Sequence, residues 1–197
     1  MNWRFILLEL IRNGRGSLTN VNVNGSLHWM DSENHKKSAS ACIYSFNIGT
    51  EEVKSVPPPP GLEAPSSCLR LVELGNCLCL CLSDNSYSQH VDIWWMKEYG
   101  IAESWTKDRI LMDCILPDIR QGTFIPIIIW KDGEILMRSE HGTRLVSYSP
   151  KEIKFRKVNV YCSVIAVTKY VPSFYSLKTV MGDNFQVSNV YPKAKIV

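Results

Sequence analysis

VNVNGSLHWM at residues 21–30, LVELGNCLCLCLS at 71–83 and IIIWKDGEILMRS at 127–139 share one layout. Each is an apolar strand, a tight glycine turn and a second apolar strand. Asn24-Gly25 and Asp132-Gly133 are favoured hairpin dipeptides, because the turn needs positive φ and Gly or Asn accepts it cheaply. Gly75 with Asn76 serves the middle copy less ideally.

Two further strands follow each hairpin. After the first come residues 41–46, a turn at 47–50 and residues 51–56. After the second come 91–96, a turn at 97–100 and 101–110. After the third come 143–148, a turn at Ser149-Pro150 and 152–158. Each unit therefore holds about four short antiparallel strands, and the marker glycines 25, 75 and 133 lie 50 and 58 residues apart. A four-stranded unit recurring at roughly fifty residues is the signature of a kelch-type propeller blade. One such sheet leaves two faces open, and stacking against neighbouring blades buries both. That accounts for strands such as Ile127-Ile128-Ile129-Trp130, which are apolar throughout and expected to be buried. The expected fold is all-β, a partial β-propeller of about three four-stranded antiparallel blades plus flanking strands. The interaction domain is placed at 1–180 and a tail at 181–197.

Composition fits a globular chain. Of 197 residues, 45% are hydrophobic and 21% charged, and the net charge is +3, too small to imply nucleic acid. Lys151, Lys154, Arg156 and Lys157 interleave with Ile153, Phe155 and Val158, which reads as a strand with one wet face. The apolar run Phe5–Leu8 is too short for a signal peptide or a membrane span, so a cytoplasmic or nuclear location with reduced thiols is expected.

The segment Val91–Gly100, VDIWWMKEYG, continuing into ESWTK at 103–107, resembles the F-box-associated domain of plant F-box proteins. NGSLHW at 24–29, the strand 43–46 followed by 51–59 ending in prolines, LGNCL at 74–78 and YVPS at 170–173 extend the resemblance over about residues 2–178. On these motifs Gly25, His28, Trp29, Gly75, Trp94, Gly100, Trp105 and Gly133 are the family-type structural positions. The resemblance implies the target-recognition part of an SCF-type ubiquitin ligase, a non-enzymatic protein-binding module. In such proteins an N-terminal F-box docks on a Skp-type adaptor and cullin. Residues 1–20 leave no room for an F-box, so adaptor binding is expected only if one is supplied upstream. The chain is then a short isoform, the product of a truncated or wrongly delimited gene, or a non-functional remnant. On that view the outermost blade faces lie open, with Trp3, Phe5 and Leu7 at one end and Val164, Val167, Phe174 and Leu177 at the other, and the chain is expected to associate.

Few residues suggest chemistry. Cys77, Cys79 and Cys81 share one face of a strand, but no second Cys or His pair has zinc-ligand spacing, so they read as small core residues. His28 reads as a hydrogen-bonded packing histidine. Neither GxSxG, a P-loop nor HExxH occurs, and no cofactor or metal is expected. A propeller-fold hydrolase or sugar-binding protein is the alternative; its carboxylates would have to come from Glu73, Asp92 and Glu140, which are dispersed. Pro57–Pro60 is read as a connector between blades rather than a polyproline ligand. Trp94 and Trp95 must face opposite sides of one strand and are read as core. Binding aromatics belong on loops, where Tyr87 is the candidate.

Overall fold

Hairpin after hairpin, the chain builds three separate four-stranded antiparallel sheets in strict sequence order. The computed structural model describes residues 21–31, 42–62, 64, 68–82, 90–112, 123–139 and 144–159. The first sheet contains β1 (Val21–Val23), β2 (Ser26–Asp31), β3 (Cys42–Asn47) and β4 (Glu52–Val56). The second contains β5 (Leu69–Leu74), β6 (Cys77–Leu82), β7 (His90–Met96) and β8 (Trp105–Leu111). The third contains β9 (Phe124–Trp130), β10 (Glu134–Ser139), β11 (Leu145–Ser149) and β12 (Lys154–Val158). The first strands of the sheets touch in series, β1 against β5 and β5 against β9. This is the arrangement of consecutive propeller blades about an axis, and the fold is all-β.

The turns follow from residue chemistry. Val23 pairs with Ser26 and Leu74 with Cys77, leaving two-residue turns. Their central residues all have positive φ: Asn24 at 51°, Gly25 at 69°, Gly75 at 60° and Asn76 at 62°. That is the type I′ requirement, and Gly-Asn meets it as well as Asn-Gly. The third hairpin is longer, with Trp130 opposite Glu134 and three residues between. Its β9 strand shifts register where Leu136 faces Ile128 but Met137 faces Pro126. Proline fits there because β9 is an edge strand and the irregularity relaxes the ladder.

Several expected strands begin later than their sequence suggests, and for two of them the turn before the strand gives the reason. The fourth strand of the second sheet starts at Trp105, not Ile101, because residues 102–104 form a single 3-10 turn. The Ser104 hydroxyl closes that turn by donating to the carbonyls of Glu98 and Ile101, both at 2.8 Å. The last strand starts at Lys154, after Ile153 turns the chain at φ 51°.

The sheets stack through two apolar layers with the second sheet as the shared slab. β6, CLCLCL, shows how. Leu78 and Leu80 join Val21, Val23, Ile43, Leu69 and Leu71 between the first and second sheets. Cys79 and Cys81 join Ile93, Phe124, Met137, Val146 and Phe155 between the second and third. Strand alternation thus sends the leucines to one neighbour and the cysteines to the other. Small thiols suit the second layer, where Phe124, Tyr148 and Phe155 supply the bulk. Trp94 and Trp95 divide in the same way, Trp94 against the first layer and Trp95 against the second.

The proline run links the first and second sheets. Trp105 is buried, and its indole N–H donates to the Pro57 carbonyl at 2.9 Å, pinning the connector to the next blade. The outer strands β4, β8 and β12 carry mostly exposed, charged positions, which discourages pairing along those edges. Phe155 is buried in β12 while Lys154, Arg156 and Lys157 are exposed. The terminal apolar residues expected on open blade faces, Trp3 to Leu7 and Val164 to Leu177, lie outside the described residues. Among the described residues no helix is long and apolar enough to cross a membrane.

Candidate partner-binding cleft

Two turns of the second sheet meet the strand ends of the first and third, and a cleft of about 390 Å³ opens there. Val23 reaches it from the end of β1, Gly75, Asn76 and Cys77 from the β5–β6 turn, Lys97 and Tyr99 from the β7–β8 turn, and Ile129 from β9. Gly75 brings two blades close: a Cβ there would stand 3.2 Å from the Ile129 side chain. The Glu73 carboxylate holds this turn by accepting the Asn76 backbone N–H at 2.7 Å.

The β7–β8 turn is fixed from several sides. Gly100 has φ +84° and its N–H donates to the Met96 sulfur at 3.1 Å. Tyr99 leans across to the first sheet, where its hydroxyl lies 2.7 Å from Nε2 of the buried His28. The rings meet edge to face, centroids 5.5 Å apart. His28 Nδ1 lies 3.3 Å from the Val21 carbonyl, an acceptor only, so Nδ1 carries the proton. Burial pushes the His28 pKa below its ordinary value, against the backbone contacts to Val21 and Ser26, and keeps the ring neutral. Nε2 therefore accepts, and Tyr99 donates to it. Lys97 stands with Nζ 5.1 Å from the Trp95 ring centre.

The structure separates the sequence-selected residues by role. Gly25, Gly75 and Gly133 sit in hairpin turns. Gly75 and His28 belong to the cleft and its wall. Trp29 is buried and stacks on Tyr44, centroids 5.8 Å apart. Trp94 and Trp95 are half-buried, and their indole N–H groups are enclosed without an acceptor among the described residues. Tyr87 lies outside the described residues. Sequence reading missed Lys97, Tyr99 and Ile129. The apolar run 127–130 suggested full burial, yet Ile129 is 38% exposed. The available signal was the position of these residues at turn ends, where a first blade strand leaves its sheet.

Exposed apolar side chains concentrate on this face. Ile48, Tyr99, Ile101, Ile129 and Ile153 all lie in, or next to, tight turns.

Of the carboxylates considered for hydrolysis, Glu73 and Asp92 are engaged in structure. Asp92 is buried, and Arg109 grips it with two N–H groups at 2.7 and 2.9 Å while Lys107 Nζ approaches to 2.7 Å. Burial alone would raise the Asp92 pKa, but Arg109 and Lys107 together hold it below the usual carboxylate range. Glu140 lies outside the described residues. On the core side, burial pushes the Cys79 and Cys81 thiols well above the ordinary range, with the neighbouring cysteines adding to the rise at Cys79. Among the described residues no cluster of His, Cys, Asp and Glu could hold a metal.

Blades of this order and turn chemistry occur in several families, and comparison with known proteins decides between them. The family described as the F-box associated beta propeller domain matches residues 2–177. The chain belongs to this family. F-box protein At3g07870 of Arabidopsis thaliana is 34% identical over 152 residues, covering 68% of this chain and 35% of its own. F-box protein CPR1 of the same plant is 28% identical over 177 residues, 88% of this chain and 39% of its own. F-box/kelch-repeat protein At3g23880 is 31% identical over 94 residues, 46% of this chain and 24% of its own. The chain thus spans little more than a third of the longer-matching relatives. No solved structure matches it. In this F-box-associated propeller, the cleft lies where the first strands of successive blades converge.

Proposed function

We propose that this F-box-associated propeller is a non-catalytic recognition module that holds a protein target for an SCF-type ubiquitin ligase, in the cytoplasm or nucleus. The observation that carries the reading is the turn face. A scaffold of stacked sheets presents exposed Tyr99 and Ile129 in a preformed cleft, with exposed Ile101 beside Tyr99 and exposed Ile48 and Ile153 in other turns, as a protein-binding surface requires. Family membership supports it, since the relatives are named as F-box proteins. Asp92 and Glu73 are occupied by structural partners, which removes them as free acid and base. Docking to a Skp-type adaptor and cullin belongs to an F-box, not to the blades.

The test joins the chain to an F-box and expresses the fusion in plant cells. Quantitative proteomics should show a small set of proteins falling in abundance and recovering on proteasome inhibition. The same fusion carrying Leu80→Ala, which loosens the blade core, should lose the effect. An identical proteome with and without the fusion would refute the reading.

A further inference from the structure

We propose that the turn-face cleft takes an extended acidic segment of the partner, with a carboxylate on Lys97 and an apolar neighbour against Ile129 and Trp95. This rests on the reading of the chain as a recognition module and gives that module a ligand chemistry.

Size comes first. At about 390 Å³ the cleft is at the small end of the roughly 300–1,000 Å³ usual for ligand sites. A helix is ~10 Å across with its side chains, so less than one full turn would fill that volume. An extended chain inserting a few side chains fits without that limit. The outer edge strands β4, β8 and β12 contribute no residue to the cleft, and the inner edge strands β1, β5 and β9 reach it only with Val23, Leu74 and Ile129, at or next to their ends, so the segment is held by side chains rather than by sheet extension.

Charge comes second. Lys97 is the one charged residue lining the cleft among the described residues. Among the described residues no carboxylate pairs with it: Glu73, at the adjoining turn, is held by the Asn76 N–H, and Lys107 and Arg109, by contrast, are both spent on Asp92. The Trp95 ring beneath its ammonium orients the cation without neutralising it. An anionic ligand is the complement.

The third observation is directional. Because Tyr99 spends its proton on His28, its oxygen offers lone pairs at the rim. A cation and an acceptor in one cleft lining suit a peptide that presents a carboxylate and a backbone N–H. Ile129 adds an exposed apolar side chain to the same lining. A basic segment would meet Lys97 with like charge, and a purely apolar one would leave the ammonium unpaired.

The experiment uses the full chain and pools of short fluorescein-labelled peptides in which one glutamate is flanked by varied apolar residues. Matched pools carry glutamine or lysine at that position. Anisotropy should show the glutamate pool binding about tenfold more tightly than the glutamine pool, and the lysine pool weakest. Lys97→Glu should invert the order of the glutamate and lysine pools, and Lys97→Met should erase the preference. Ile129→Ser should weaken every pool alike. Thermal unfolding of each variant separates lost binding from lost folding, and because Lys97 is exposed its variants should melt with the parent chain. Equal binding of all pools, no binding up to millimolar peptide, or a preference unchanged by Lys97→Glu would overturn the proposal. If that happens while the F-box fusion still depletes a target, the cleft chemistry is wrong and the recognition reading stands. If the peptides bind as expected but no protein is depleted, the recognition reading is the one that fails.

Discussion

Truncating Leu80 to alanine probes the slab that joins the blades. Leu80 is fully buried in β6, on the leucine face between the first and second sheets. Leu→Ala removes three carbons, about 2.4 kcal/mol at roughly 0.8 kcal/mol per buried carbon. The cavity left behind adds to this, because sheets clamped on both sides close poorly; measured Leu→Ala losses run to about 5 kcal/mol. We expect a loss of about 3–4 kcal/mol, a large share of the ~5–15 kcal/mol that holds an ordinary domain together. Val53→Ala, in edge strand β4 and 43% exposed, is the control and should stay within about 0.5 kcal/mol of the parent. Urea denaturation followed by tryptophan fluorescence reads both, and calorimetry should show Tm falling by about 6–16 °C for Leu80→Ala. A Leu80→Ala loss below about 1 kcal/mol would refute the shared-slab packing.

Gly100→Val should destabilise by roughly 1 kcal/mol or more through its positive φ alone, since nothing lies within 4 Å of a Cβ there; unchanged urea stability would contradict the turn. Gly75→Val adds a steric contact with Ile129 to the same strain and should therefore lose more. His28 is neutral in the fold with its pKa depressed, so the unfolded chain binds its proton first. Stability should therefore decline as pH falls below about 6.5, and His28→Phe should remove that part of the decline in denaturation at stepped pH. Asp92 is likewise depressed; its contribution is present above the unfolded carboxylate pKa of about 3.9 and is lost as pH falls through the folded value, a phase absent from Asp92→Asn. Cys79 and Cys81 should resist iodoacetamide in the native chain and react on unfolding, as peptide mapping by mass spectrometry would show; native-state labelling would contradict their burial.

The blades were legible because their signals are local. Asn24-Gly25, Gly75-Asn76 and Asp132-Gly133 each demand a turn, and the alternation in CLCLCL implies a strand buried on both sides. Strand starts were less legible. The Ser104 hydroxyl that holds residues 101–104 out of β8 depends on carbonyls positioned by the preceding turn, which no pattern of apolar residues reveals. The cleft was the least legible. Val23, Asn76, Lys97, Tyr99 and Ile129 meet only because two turns of the second sheet reach the strand ends of the first and third, and the His28–Tyr99 contact spans 71 residues of sequence. The apolar run 127–130 even pointed the wrong way, since a strand beside the axis lacks the cover that a mid-blade strand has.

Site-specific photo-crosslinking tests most directly whether the turn face is the recognition surface. A photoreactive amino acid at Ile101, 44% exposed beside Tyr99, samples that face; at Leu111, 53% exposed at the far end of β8, it samples the opposite one. With the F-box fusion in plant cells, the protein that the fusion depletes should crosslink from Ile101 and not from Leu111, and Lys97→Glu should abolish the adduct. The same target crosslinking only from Leu111, or from Ile101 regardless of Lys97→Glu, would contradict the account.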